Sequence, residues 1–193
     1  KDQLFEEIFR VVKPGGRVAI SDIVADEDVP VAMQNDPELW SGCISGAYRE
    51  DLFLEAFSKV GFHGVTTAKR DEQPWQTVNG YEFRSMTVLA YKDLDGRDLD
   101  RNQALVYDGP FEEIQDDQGR KFRRGERTPV GERAFQRMQE APYKGMFTAI
   151  EPRIAVPRET ASEFQTCRTR PRTAREMKGE DYDATGSGSS SCC

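Results

Sequence analysis

Histidine is nearly absent from this chain and cysteine is scarce, with one His and four Cys in 193 residues. The lone imidazole of His63 cannot by itself build a histidine-based metal centre, and its place between Gly61 and Gly64 predicts a surface loop. Cys43, Cys167, Cys192 and Cys193 do not make a disulfide framework, so reduced thiols are expected. There is no basic excess. The 27 Lys and Arg against 34 Asp and Glu leave a formal charge of −7, which excludes a general binder of nucleic acid or of an anionic membrane. No apolar run approaches the roughly 20 residues of a membrane span, and Lys1-Asp2-Gln3 does not open a signal peptide. A cytoplasmic location is the resulting expectation. Also missing is a first strand followed by Gly-x-Gly, the usual cradle of a dinucleotide or adenosyl ligand.

What is present reads first as alternating helix and strand. Leu4, Phe5, Ile8, Phe9 and Val12 recur at the three-and-four spacing of an amphipathic helix over 2–12. Pro14-Gly15-Gly16 ends it, because proline cannot continue a helix and glycine tolerates the turn. Residues 18–24 form an apolar run expected to be a strand buried on both faces, as in the middle of a parallel sheet. A second helix is predicted over 49–60 with Leu52, Phe53, Ala56, Phe57 and Val60 inward, capped by Gly61. Strands follow at 65–69 and 83–91, with 73–80 read as a loop carrying Trp75.

A charged stretch at 93–100 without apolar period marks a boundary. Beyond it, short strands are expected at 103–107, 111–115, 120–123 and 147–150, and a helix at 132–139. Asp116-Asp117-Gln118-Gly119 is a hairpin turn, and Arg124 to Arg127 another turn. From Pro157 the chain turns polar and ends in a Gly/Ser run, so disorder is predicted there; the basic cluster at 168–175 reads as a solvated segment.

The segment Glu38-Leu39-Trp40-Ser41-Gly42-Cys43-Ile44-Ser45-Gly46-Ala47 puts one cysteine in a small-residue loop between the apolar strand and the second helix. In an open α/β sheet, ligands bind beyond the carboxyl ends of the strands. A thiol there suits a soft substrate, whereas the ordinary fate of a free cysteine is to pack as a small apolar residue. Asp22 and Asp26, near the end of the same strand, either line a cleft or cap the turn; Trp40 either shapes the loop or anchors it to the core.

Those residues, with Val18-Ala19-Ile20-Ser21-Asp22-Ile23-Val24 and Phe83-Arg84-Ser85-Met86-Thr87-Val88, resemble the catalytic domain of S-adenosylmethionine-dependent arsenite methyltransferases. The stretches Gln103 to Phe111 and Phe122 to Arg127 resemble that family's C-terminal domain. The resemblance implies an α/β fold: a partial Rossmann-like class I methyltransferase sheet over 1–92 lacking its N-terminal half, a linker at 93–102, a small α+β domain over 103–156 and a disordered tail over 157–193. It implies a C-terminal fragment that is inactive alone, with donor-binding residues mostly upstream of Lys1.

It further implies transfer of methyl groups from S-adenosyl-L-methionine to thiol-bound As(III), in arsenic methylation and detoxification. Methylated arsenicals would be the products, and thiols such as glutathione or thioredoxin the co-reactants. Cys43 is then the arsenic-binding cysteine; Cys192 and Cys193 either add ligands at the end of a flexible tail or have no role, and Cys167, in the polar tail, reads by its position as an incidental exposed thiol. The family's other thiols have no counterparts at Asp98 and Gly131, where this chain carries a hard carboxylate and no side chain. A methyltransferase with an organic substrate, or a non-catalytic thiol module that binds As(III), are the alternatives.

Overall fold

In the computed structural model, residues 2–41, 43–153, 156–165 and 170–178 are described. They divide into two units, Lys1–Asp95 and Gly96–Cys193. The first begins with α1 (Asp2–Val11), whose apolar stripe is inward: Phe5 is buried, with Ile8, Phe9 and Val12 packed against the same core. The helix end is closed by a distant cation. Lys92 Nζ donates to the carbonyls of Phe9 (2.8 Å) and Val12 (2.9 Å) and lies 4.5 Å from the Phe9 ring centroid, satisfying acceptors that a helix terminus leaves open. Gly15, at φ +73°, makes the turn into the sheet.

The sheet of this unit runs β2 (Tyr48–Arg49), β1 (Arg17–Ala25), β5 (Tyr81–Tyr91), β3 (His63–Arg70), with β4 (Gln76–Val78) also paired to β5. The α/β class agrees with the sequence expectation, but the environment of β1 differs. It pairs antiparallel with β5 along all of its nine residues, and parallel only with the two residues of β2. Only Val24 and Ala25, at its carboxyl end, are buried. An apolar run reports hydrophobicity, not the direction of its neighbours. Ser21 shows the difference, since its hydroxyl meets that of Thr87 at 2.8 Å on an exposed face.

The other face is covered by α1 and α4 (Glu50–Lys59). Phe5, Phe53 and Phe57 meet edge to face, with centroids 4.9 Å apart for Phe5–Phe57 and 5.4 Å for Phe53–Phe57, the geometry aromatic quadrupoles favour. His63 is a correction. It is 8% exposed, opens β3 and stacks on Tyr91 at 6.1 Å; Gly61 and Gly64, both at positive φ, turn the chain sharply enough to tuck it against the strand end. The expected loop at 73–80 contains β4, joined to β5 by Asn79 (φ +52°) and Gly80 (φ +91°). Asn-Gly is the preferred two-residue hairpin turn, a signal the alternation around Trp75 obscures.

In the second unit, β6 (Ala104–Tyr107) lies between β10 (Phe147–Ile150) and β9 (Arg127–Pro129). The strand β9 begins at Arg127, the last residue of the turn that the sequence predicts. Its Pro129 is tolerated because β9 is an edge strand. The hairpin β7 (Glu113–Gln115)–β8 (Lys121–Arg123) turns at Asp116, whose Oδ1 accepts from the backbone nitrogens of Gln118 (3.0 Å) and Arg120 (2.8 Å). Leu105, Tyr107, Phe122 and Val130 form the core with Ala134, Phe135 and Met138 of the segment around α5 (Glu132–Arg137).

Order extends past the expected boundary at Pro157. Ala161, Phe164 and Met177 are buried, Leu99 bridges to Glu163, and α6 (Ala174–Lys178) follows. The basic cluster contains a buried clamp. Arg172 is 4% exposed and donates to Asp100 (3.0 Å) and to the Asn102 side-chain oxygen. A polar composition hides the few apolar anchors and paired cations that suffice to dock a segment. The expected linker is likewise partly structural. Asp98 Oδ1 accepts from Arg133 N at 2.9 Å, capping the start of α5, and a Cβ at Gly131 would overlap the same carboxylate.

Asp98 and Gly131 are therefore a matched pair, with the carboxylate occupying the space that the glycine leaves open. Asp98→Ala should cost about 1 kcal/mol, the usual worth of a helix cap. Gly131→Ala should destabilise the native chain but add little in the Asp98→Ala background. Urea unfolding of the four proteins of this cycle measures the coupling, and strictly additive losses would refute the pairing.

Candidate functional site

The carboxyl end of β1 is where the chain becomes chemically varied. Ala25 is fully buried, and Asp26 then clasps β5: its backbone nitrogen donates to Glu82 O (3.1 Å), and its Oδ1 accepts from Glu82 N (3.0 Å). Asp26 thus ends a strand pairing, while the exposed Asp22 accepts from the nitrogen of its neighbour Ile23 (2.8 Å). Of the two readings left open for these residues, the geometry favours the structural one. The loop is tied to α4 by Arg49, which reaches Asp28 (2.8 Å) and Asp51 (2.6 Å). The guanidinium hydrogen-bonded to Asp51 holds that carboxyl below the usual carboxylate range.

Two short helices follow, α2 (Val31–Gln34) and α3 (Pro37–Ser41). Asp36 caps α3, with Oδ1 accepting from Glu38 N (2.9 Å) and Leu39 N (3.3 Å). At the far end the nitrogens of Ile44 (3.0 Å) and Ser45 (3.4 Å) both donate to Leu39 O. This reversal puts Cys43 in the left-handed region at φ +62°, a conformation that closes helices. Gly42 and the side chain of Trp40 lie outside the described residues.

The turn rests on a dry seat. Ile44 is 2% exposed and packs with Ala25, Val29, Met33 and Phe83. Ser45, also buried, donates to Met33 O at 2.7 Å, with Asp36 O at 3.1 Å. The preceding residue, Cys43, is exposed. Sequence order alone puts the thiol in a loop; the structure buries the two residues that follow it and leaves the cysteine exposed. From here the chain enters β2, alongside Val24 and Ala25, so the cysteine sits on the segment that leaves and rejoins the carboxyl end of β1.

A buried cation near this edge went unread in the sequence. Arg84, opposite Val24 in the ladder, is 5% exposed; it pairs with Glu50 (3.2 Å) and Glu82 and donates to the carbonyls of Asp71 (3.3 Å) and Glu72 (2.8 Å). Arg70 binds the other side of Glu50 at 2.8 Å. The alternation Arg84, Met86, Val88, Ala90 along β5 is the signal that puts this guanidinium on the covered face. Among the described residues there is no group of three or more His, Cys, Asp or Glu side chains arranged to hold a metal ion. Cys167, Cys192 and Cys193 lie outside the described residues, and Asp98 and Gly131 serve the α5 cap.

The chain is 40% identical over 72 residues to the arsenite methyltransferase of Halobacterium salinarum, a match covering 37% of this chain and 18% of that protein. To the arsenite methyltransferase of Mus musculus it is 27% identical over 180 residues, 86% of this chain and 47% of that protein. Over the matched stretches the chain is similar to arsenite methyltransferases. It spans less than half the length of either relative. Residues 94–182 match a family model described as a domain of unknown function, DUF8838. The crystal structure of CrArsM, an arsenic(III) S-adenosylmethionine methyltransferase from Chlamydomonas reinhardtii, is 22% identical, with 85% of this chain and 57% of that one covered at a TM-score of 0.46.

The exposed placement of Cys43 has a direct test. Iodoacetamide labelling of the folded chain, read by peptide mass spectrometry, should modify Cys43 within about tenfold of its rate in the unfolded chain, as an unshielded thiol does. Protection that disappears only on denaturation would show the sulfur to be buried.

Proposed function

We propose that this chain forms the acceptor side of an S-adenosylmethionine-dependent methyltransferase acting on trivalent arsenic, with Cys43 as a thiolate ligand to As(III). One observation carries the reading: an exposed thiol, held on a buried seat at the carboxyl end of a sheet strand, in a chain similar to arsenite methyltransferases. As(III) is soft and prefers sulfur to the carboxylates that dominate this surface. Thiolate-bound As(III) retains a lone pair, so it can serve as a nucleophile towards an electrophilic carbon.

Cys43 contributes position. The Ile44 and Ser45 anchors restrict where the sulfur travels, and holding a reactant in place lowers the entropic part of a barrier. S-adenosylmethionine, when bound, supplies a methyl group made electrophilic by its sulfonium sulfur; no described residue is assigned to it. The thiol co-reactants, glutathione or thioredoxin, belong to the same proposal. So do the methylated arsenical products, the role in detoxification, and a cytoplasmic setting. No helix among the described residues is long and apolar enough to cross a membrane.

A methyltransferase with an organic substrate is the second reading. It is favoured by the donor set around Cys43: no second thiol is found among the described residues, and a single sulfur is a weak hold on As(III). Titration with arsenite separates the two. The chain should bind As(III), Cys43→Ala should weaken binding by at least about tenfold, equivalent to about 1.4 kcal/mol, and a Cys192→Ser/Cys193→Ser double variant reports the share of the terminal pair. Binding unchanged in Cys43→Ala would remove the arsenic role from this cysteine and favour the organic substrate.

A further inference from the structure

An asparagine can cyclise when its side-chain amide is free to turn, the following backbone nitrogen is free to attack it, and no side chain on the following residue blocks the approach. The chain has three asparagines, at 35, 79 and 102. Asn102 is tied at both ends of its amide, with Nδ2 donating to Glu176 O at 2.6 Å and Oδ1 accepting from Arg172. Asn35 is followed by Asp36, whose nitrogen donates to Met33 O at 3.3 Å and whose side chain caps α3. Asn79 alone meets all three conditions. It is followed by Gly80, and both residues are exposed. Neither the Asn79 amide nor Gly80 N has a hydrogen bond among the described residues. Space around Gly80 is open: a Cβ there would meet no atom within 4 Å.

Asn79 (φ +52°) and Gly80 (φ +91°) are the two-residue tip of the β4–β5 hairpin, with Val78 directly opposite Tyr81. Val78 and Tyr81 pack against the cluster of Ala25, Val29, Met33, Ile44 and Phe83, and Ile44 is the residue after Cys43. Further along the hairpin Phe83, fully buried, pairs with Gln76 on one side and with Ala25 on the other. The hairpin tip therefore buttresses the seat beneath the cysteine turn. Its register depends on the turn keeping a two-residue length.

We propose that Asn79 is a self-modifying site that converts through a succinimide to aspartate and isoaspartate, the latter loosening the hairpin under the Cys43 turn. The deprotonated nitrogen of Gly80 attacks Cγ of Asn79. A new N–Cγ bond forms, the Cγ–Nδ2 bond breaks, and the amide nitrogen leaves as ammonia after taking a proton from water. Water then opens the imide, and nothing is oxidised or reduced. Opening at Cγ breaks the new bond and leaves aspartate in a normal backbone. Opening at the main-chain carbonyl breaks the original peptide bond and leaves isoaspartate, whose backbone runs through Cβ and Cγ and is one atom longer. Either product adds a negative charge, but only isoaspartate lengthens the turn and disrupts the pairing of Val78 with Tyr81. The proposal does not depend on what Cys43 binds.

Incubation of the whole chain at mildly alkaline pH tests it, read by peptide mass spectrometry with chromatographic separation of aspartyl and isoaspartyl peptides. Asn79 should show the one-dalton gain of deamidation at least about tenfold faster than Asn35 or Asn102, with isoaspartate among its products. This comparison needs no variant. Gly80→Ala, which has room for its methyl group, should slow the reaction at Asn79 by a similar factor. Hydrogen exchange of the purified isoaspartyl form should quicken over 76–83 and 44–47, whereas Asn79→Asp, with the same charge and a normal backbone, should exchange as the unaltered chain does. The site is overturned if Asn79 reacts no faster than the other two asparagines, or if Gly80→Ala leaves its rate unchanged. Aspartate formed without isoaspartate would overturn the succinimide route, since direct hydrolysis gives aspartate alone. Unchanged exchange over 44–47 in the isoaspartyl form would overturn the link between the hairpin and the cysteine turn.

Discussion

The first unit depends on the antiparallel ladder between β1 and β5, which are paired from Arg17 opposite Tyr91 to Ala25 opposite Phe83. Everything chemically interesting in that unit hangs from its Ala25 end. Val24 and Ala25 are the only wholly buried residues of β1, and they carry β2 on one side and the clasp between Asp26 and Glu82 on the other. The two-residue contact with β2 returns the chain to the sheet after its excursion through α2 and α3. Weakening the ladder there would release the loop at both of its ends.

The Cys43 turn follows from that constraint. A residue at positive φ is tolerated when its surroundings define the backbone independently. Here the Leu39 carbonyl, the Ile44 seat and the Ser45 hydroxyl do so. The outcome is a thiol that is accessible yet held, unlike the commoner buried cysteine that packs as a small hydrophobe. Arg84 contributes from beneath, joining Glu50 at the head of α4 to the turn after β3. A buried guanidinium needs counter-charge close by, and Glu50 and Glu82 supply it here beside the carbonyls of Asp71 and Glu72.

The second unit relies more on paired polar anchors. Glu132, almost fully buried, receives Arg101 (2.7 Å) and Arg158 (3.2 Å), and Arg172 spans Asp100 and Asn102. Removing Arg101 or Asp100 leaves the buried Glu132 or Arg172 short of its counter-charge, which is costly away from solvent. The Asp98–Gly131 pair belongs with them. Where the arsenite methyltransferase resemblance leads one to look for thiols, this chain has a carboxylate that caps α5 and a glycine that makes room for it.

Elements whose signals are local are legible in the amino-acid order. Helical spacing located α1 and α4, the Pro-Gly-Gly turn and Gly61 marked their ends, and Asp116 to Gly119 marked the β7–β8 hairpin. It also singled out Cys43 as the thiol to watch. Tertiary structure decided what depends on partners distant in the chain. The antiparallel neighbour of β1, the burial of His63 and Arg84, the docking of Phe164 and Met177, and the meeting of Asp98 with Gly131 all join residues far apart in sequence. Periodicity records which side of an element is apolar; it carries no information on what covers that side. A charged residue reads as solvent-facing until its counter-charge is brought to it, and only the fold brings it.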